Sequence, residues 1–552
     1  LFLLLLSCVI KRKTAIMKFR QQKFFASKEH FGTRAADTRL LKHALRIFFL
    51  YFIFQTYCLT MRAQSLVETH PSAENSTVVI NKNIYGHFAE HLGHCIYGGF
   101  YVGDTNKSIP NIDGVRKDVI AALKKLKIPI LRWPGGCFAD TYHWKDGVGP
   151  KDKRPAIVNK WWGGVLEDNS FGTDNFLNMC ELLGAEPYVS GNIGSGTVQE
   201  LADWVQYTNF EGRSPMSDLR SVNGRNKPWK VKYWGIGNEA WGCGGNMRPE
   251  YYTDVFRKYT TFMGGGLFKI GSGASSDDYN WTETMMKNIP ASMIQGIGLH
   301  HYSVIDWNHK SSATGFSMQE YFITMQRALK MEELVTRHSA IMDKYDPEKK
   351  VALVVDEWGG WYDVEPGTNP GFLFQQNTMR DAMIAGVTLN IFNNHADRVR
   401  MANLAQTINV LQAVILTKGN EILLTPTYHV MEMYNVHQDA TLIPITVKSG
   451  EYMMGSEKLP ALSVSASMKD KRVHISLVNI DAGKTQDVNI DLGKIPFSQV
   501  SGRILASNKI QDFNSFDNPA KIKPVDFSGT KISGQIISLR MPPASVIVLE
   551  LN

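Results

Sequence analysis

Two short apolar runs end abruptly in a carboxylate: Tyr233-Trp-Gly-Ile-Gly-Asn-Glu239, followed by Ala240 and Trp241, and Val351-Ala-Leu-Val-Val-Asp-Glu-Trp358. In each, β-branched or aromatic residues suit a buried strand, and the acid emerges at its C-terminal rim. Two carboxyl groups flanking one carbon are what glycosidic hydrolysis requires. One protonates the leaving oxygen, and the other attacks or activates water. Either glutamate alone reads equally as a salt-bridge partner or a loop cap. A matched pair of strand ends shifts the reading towards chemistry.

The elements that must position them come from a pass along the chain. From Tyr85 to about Thr417, short apolar runs alternate with longer amphipathic ones, the βαβα pattern of a parallel sheet. Strands are expected at 84–90, 130–134, 187–192, 231–239, 268–274, 296–302, 351–357 and 387–393. Eight such units point to a closed (β/α)8 barrel, whose active groups collect where strands end. Counting places Glu239 at the end of the fourth strand and Glu357 at the end of the seventh. Helices are expected at 115–126, with Val119, Ile120, Leu123 and Leu126 on one face, and at 174–183, capped by Thr173 and turning Phe176, Leu177, Cys180 and Leu183 inward. After Pro426 the pattern becomes alternating, as in Val473-His-Ile-Ser-Leu-Val-Asn479 and Val546-Ile-Val-Leu-Glu-Leu551, which reads as a jelly-roll-like β-sandwich. The expected organisation is a leader at 1–63, N-terminal strands joining the sandwich at 64–84, the catalytic barrel at 85–424 and the C-terminal β-sandwich at 425–552.

The 552 residues are too many for one ordinary core, and 43% hydrophobic with 20% charged residues fits a globular protein. The net charge of +8 implies no nucleic-acid surface, because eleven basic residues between Lys11 and Arg46 face only Glu29 and Asp37, and the remainder is close to neutral. The first Met is Met17, so residues 1–16 read as sequence ahead of a translated start. The apolar run from Ile47 to Thr60 behind Lys42 and Arg46 reads as a signal-peptide core cleaved near Ala63, which implies export to the periplasm or beyond; an uncleaved membrane anchor is the alternative. Beyond the leader stand Cys95, Cys137, Cys180 and Cys243, without C-x-x-C spacing. A domain of this size needs no stapling, so free, mostly buried thiols are expected.

Five ordered segments resemble glycoside hydrolase family 51, the α-L-arabinofuranosidases. They are Gly86-His-Phe-Ala-Glu-His-Leu-Gly93, Leu131-Arg-Trp-Pro-Gly-Gly-Cys-Phe138, Gly235-Ile-Gly-Asn-Glu-Ala-Trp-Gly242, Asp356-Glu-Trp358 and Met401-Ala-Asn-Leu-Ala-Gln-Thr-Ile-Asn409. The resemblance covers roughly 78–552. It implies a retaining, exo-acting enzyme that releases terminal arabinofuranose from arabinoxylan, arabinan or their oligosaccharides, with Glu239 as acid/base and Glu357 as nucleophile. It further implies that Asn238 bonds the sugar 2-OH or else caps a turn, that Glu90 grips sugar hydroxyls, that Tyr302 leans towards the nucleophile, and that Gln406 reaches a ring hydroxyl. Trp361 would wall the pocket. Cys137 stands where some members carry Asn, so its contact with sugar is weaker or made by backbone. Arg132 would lie beneath the carboxylates as a counter-charge, with His300 as a hydrogen-bond partner. No cofactor or metal is implied, and homo-oligomers are common in the family.

Three other readings compete. His87, His91 and His94 carry i, i+4 spacing, which makes a metal site only on a helix, whereas this segment reads as strand and loop. A non-catalytic carbohydrate-binding barrel would typically lack one of the glutamates. A β-xylosidase or β-glucanase would share both, and differ only in the pocket.

Overall fold

A computed structural model describes residues 65–69 and 76–552; the leader, with its expected signal peptide or anchor, lies outside them. Eight parallel strands close into a barrel. They are β1 (Gly86–Phe88), β2 (Ile130–Trp133), β3 (Glu186–Gly191), β4 (Tyr233–Ile236), β5 (Phe268–Ser275), β6 (Gly296–Ser303), β7 (Ala352–Gly360) and β8 (Val399–Ala405). Each pairs with its neighbours in chain order, and β8 closes on β1 through Asn403 opposite Gly86. The strands are short and apolar because each is covered on both faces. Ile130, Tyr188, Tyr233, Ile270, Val354 and Met401, from six different strands, form one apolar cluster. Residues so distributed can meet only inside the barrel, where they plug it below the strand ends.

The eighth strand is not where it was expected. Residues 387–393 belong to the helix Met379–Asn394, and the strand is Val399–Ala405. The cause is burial: every residue from Met379 to Asn393 is buried, so the helix carries no polar stripe and its sequence lacks the 3.6-residue period. A buried apolar run reads as strand or helix alike. The helix at Lys117–Leu126 buries the four residues expected of it. That at Thr173–Leu183 buries Phe176, Leu177, Cys180 and Leu183, but Gly172 occupies its cap position and Thr173 lies inside the first turn.

Beyond the barrel, two sheets pack face to face. The five-stranded sheet includes Ser65–Thr69, and the seven-stranded sheet includes Val79–Ile80, which pairs antiparallel with Ala440–Leu442. Val67, Val464, Ile475, Val488, Ile537 and Leu549 fill the space between them. The alternation along Arg472–Asn479 puts Val473, Ile475 and Leu477 into this layer. The helix Met379–Asn394 lies against the other face of the seven-stranded sheet, where Asn390, Asn393 and Asn394 bond Ser463, Ser465 and the carbonyl of Val464.

Candidate active site

Arg132, on β2, is the hub of the site. Its guanidinium is buried under the strand ends and would be costly there without partners. It donates Nη1–H to Glu357 Oε1 at 2.7 Å, Nη2–H to Asn238 Oδ1 at 2.6 Å and Nε–H to Ser190 Oγ at 3.2 Å, with the ring of Phe88 4.6 Å from its charge. Glu357 sits on β7, and its second oxygen accepts the Tyr302 hydroxyl at 2.8 Å. Gly136 makes this approach possible. A Cβ at that position would lie 2.8 Å from Glu357 Oε1, closer than a side chain allows.

Glu239 follows β4 in a sharp turn. Gly237 has φ 79°, and Glu239 itself is held at φ 41°, in the left-handed region. A non-glycine residue adopts that conformation only where its surroundings enforce it. Here Asp140 accepts the backbone N–H of Asn238, and Ser272 Oγ accepts that of Ala240. The turn aims the carboxylate at His300, whose Nδ1 lies 2.9 Å from Glu239 Oε1 and 3.5 Å from Glu357 Oε2. Ligating atoms of Glu239, His300 and Glu357 all fall within 4.8 Å of one another.

These contacts set the proton affinities. Burial pushes the Glu239 carboxyl above its ordinary value, opposed by the His300 bond and assisted by the charge of Glu357. Burial would lower His300, but Glu357 and Asp356 outweigh it and lift the imidazole to about 10. Asp356, whose Oδ1 lies 3.3 Å from His300 Nε2 and whose Oδ2 accepts the Tyr188 hydroxyl, is pushed up by burial yet ends below its usual range because His300 and Arg132 prevail.

Glu90 stands beyond β1. Its Oε1 accepts from Gly136 N, Phe138 N and Trp162 Nε1 at 2.9–3.1 Å, and its Oε2 accepts from Gln406 Nε2 at 2.9 Å. Burial and the charge of Glu357 raise it to about 7, against the pull of these donors. The Gln406 carbonyl oxygen is buried without a partner. Trp361 packs edge-on to Tyr302 at 5.0 Å.

The expectation of free thiols holds for Cys95 and Cys180 and fails for the other pair: Cys137 and Cys243 form a disulfide. They are 106 residues apart and meet because the loops after β2 and β4 turn towards the same acid, Cys243 Sγ lying 3.5 Å and Cys137 Sγ 3.9 Å from Glu239 Oε2. Such pairing has no local signature.

Eight of the ten residues singled out in the sequence thus line one hollow, and Arg132 and His300 hold its carboxylates. A narrow cavity of about 50 Å³ is lined by Glu90, Asn238, Glu239, Tyr302, Glu357 and Gln406, with Cys137 and Trp361 also at its wall. It shares Glu239, Tyr302 and Trp361 with an outer cavity of about 600 Å³. Sequence reasoning missed Asp140, Asp356 and Trp162 as site residues. Asp356 was visible beside Glu357, and Trp162 in the run Trp161-Trp-Gly-Gly164, but Asp140 carried no signal. The three histidines of the metal alternative are engaged separately. His91 contacts Glu167 at 3.1 Å and takes the Trp133 N–H, His94 packs against Phe372, and His87 is buried on β1 with neither ring nitrogen hydrogen-bonded. Glu239, His300 and Glu357 are the one compact donor set of carboxylates and imidazole among the described residues, and both nitrogens of its imidazole already face carboxylates.

Comparison with known proteins adds the lineage. The profile of the alpha-L-arabinofuranosidase 1 domain matches residues 122–270, and that of the alpha-L-arabinofuranosidase C-terminal domain matches 356–545. A protein of Bacteroides ovatus named as an intracellular exo-alpha-L-arabinofuranosidase is 51% identical over 508 residues, covering 91% of this chain and 98% of its own. Alpha-L-arabinofuranosidase C of Emericella nidulans is 33% identical over 79% of this chain and 89% of its own. Among solved structures, the GH51 arabinofuranosidase from Xanthomonas axonopodis pv. citri is similar, with a TM-score of 0.87 at 46% identity, covering 89% of this chain and all of that one. The Bacteroides relative overturns the expectation of export: a protein aligned along nearly its whole length is named intracellular. An apolar run such as 47–60 can resemble a signal core by composition alone.

Proposed function

The chain belongs to the α-L-arabinofuranosidases of glycoside hydrolase family 51, and from that premise we propose that its two strand-end glutamates divide the work, Glu239 as acid/base and Glu357 as nucleophile. The observation that carries this is their spacing. An oxygen of each carboxylate lies within 4.8 Å of one on the other, with His300 Nδ1 between them at 2.9 and 3.5 Å, a convergence that suits two carboxylates acting on one anomeric carbon in a retaining double displacement.

In the first step Glu239, its pKa raised by burial, donates its proton to the leaving oxygen while Glu357 attacks the anomeric carbon. Neutralising Glu357 in the covalent intermediate removes a charge that holds the Glu239 pKa up, so Glu239 is then suited to take a proton from the water that releases the sugar. Arg132 and the Tyr302 hydroxyl hold Glu357 in line. Asn238, its oxygen occupied by Arg132 and one amide N–H directed at Cys243 Sγ at 3.8 Å, offers its second amide N–H to the sugar 2-OH. Glu90 and the unpartnered Gln406 oxygen receive ring hydroxyls. Cys137 presents sulfur to the sugar rather than a polar group, and Trp361 closes the wall. His300 orients Glu239.

A narrow inner cavity opening to a wide outer one fits exo action: one terminal arabinofuranose enters and the rest of the substrate stays outside. Terminal side chains of arabinoxylan, arabinan or their oligosaccharides are the proposed substrates. The enzyme is further proposed to act without nucleic acid and as a homo-oligomer, which analytical ultracentrifugation would test. The direct experiment is hydrolysis of an aryl α-L-arabinofuranoside beside an aryl β-D-xylopyranoside and a β-glucan, with Glu357→Ala as control. Arabinofuranoside turnover that vanishes in the variant supports both activity and nucleophile. Turnover of another substrate alone would overturn the specificity.

A further inference from the structure

The outer cavity has a charge arrangement that neutral sugar does not need. It rises from Glu239 past Trp241, Trp307 and Trp361 to a far wall carrying Arg327 and Lys330 from the helix Met318–Tyr345. Trp307 is 58% exposed at the lip and packs edge-on to Trp361 at 5.4 Å, which leaves an open aromatic face beside the leaving-group side of the acid. Lys330 is occupied by Asp277 at 2.6 Å. Arg327 is half-buried, and its guanidinium makes a single long contact, 3.4 Å to the carbonyl of Ile305, with no ion pair among the described residues. Besides Glu239 the wall carries one acid, Asp306, whose Oδ1 accepts the backbone N–H groups of Asn308 and His309.

A half-buried guanidinium without a carboxylate, facing a cavity of about 600 Å³, is a built receptor for one. Its planar fork matches a carboxylate in two parallel hydrogen bonds, while the tryptophan faces suit the apolar face of a sugar ring. We propose that this cavity is the leaving-group site for an acidic sugar, so that the preferred arabinofuranosides are those carried on or next to a uronic acid whose carboxylate pairs with Arg327. The inference rests on the arabinofuranosidase reading and narrows its substrate.

The test uses two matched substrates, an α-L-arabinofuranosyl methyl glucoside and the same compound with the glucose oxidised to glucuronate, compared by kcat/KM at neutral pH in the wild type and in Arg327→Gln. The expected ratio is about ten-fold in favour of the uronate in the wild type, as a charge-assisted pair allows, falling to about one in the variant, with circular dichroism reporting that the variant is folded. Raising salt from about 0.02 to 0.5 M should shrink the wild-type ratio independently of any variant. A wild-type ratio near one, a ratio insensitive to salt, or an unchanged ratio in Arg327→Gln overturns the inference while leaving arabinofuranoside cleavage intact. Failure to cleave either compound, or an aryl arabinofuranoside, removes the underlying activity as well.

Discussion

His300 places its Nδ1 2.9 Å from Oε1 of Glu239, and this contact works against the burial that raises the glutamate's pKa. The imidazole, lifted to about 10 by Glu357 and Asp356, is cationic across the neutral range, and both its hydrogen bond and its charge favour the ionised form of Glu239. Removing it must therefore raise the Glu239 pKa further. In His300→Asn, the alkaline limb of the kcat/KM profile should move to higher pH while kcat falls. A limb that stays in place or moves down would exclude Glu239 as the group that titrates there.

Glu357→Ala should lose turnover by at least about a thousand-fold. Azide should restore release of the aryl group and give an arabinosyl azide of inverted configuration. Product of retained configuration, read by proton NMR, would rule out Glu357 as nucleophile.

Glu239→Ala should separate substrates by leaving group. An activated aryl arabinofuranoside loses little in its first step, whereas an arabinosyl oligosaccharide slows by about 10²–10⁴-fold. Equal loss on both would remove the acid role.

Arg132 is predicted to be irreplaceable by lysine. A single ammonium cannot reach Glu357, Asn238 and Ser190 together, as the fork does. Arg132→Lys should lower kcat sharply. Arg132→Met, which leaves Glu357 buried without its counter-charge, should also reduce stability by about 3–5 kcal/mol in chemical denaturation.

The double substitution Cys137→Ser with Cys243→Ser releases a link between the loops after β2 and β4. Stability should fall by about 2–4 kcal/mol, and kcat on unactivated oligosaccharides should fall more than on aryl substrates, because Glu239 loses its two sulfur neighbours. An unchanged ratio of the two would confine the bridge to a role in stability.

What the sequence made legible follows from where each signal is local. The strand ends carrying Glu239 and Glu357 announce themselves through an apolar run that stops at an acid, and their numbering as fourth and seventh survives the misplaced eighth strand because the error lies after both. Residues 387–393, inside the helix Met379–Asn394, read as a strand because burial on all sides erases the helical period. The disulfide, the Asp140 brace and the Arg132 fork are contacts between loops or strands far apart in the chain, and no window of sequence contains both partners. Gln406 was recognised only through the family resemblance, since nothing local distinguishes it from a surface amide.

The same wrapped helix has a consequence for how the molecule comes apart. One side of it packs on the barrel at β7, where Phe392 meets Trp358, and the other is bolted through three asparagines to the strand Leu462–Lys469. Stripping away the sheets would leave an apolar cylinder in water, and removing the barrel would orphan the asparagine amides. Neither part carries a finished surface of its own. Barrel and sheets therefore melt in a single cooperative transition, and a fragment ending near residue 425 would aggregate rather than persist as a smaller catalyst.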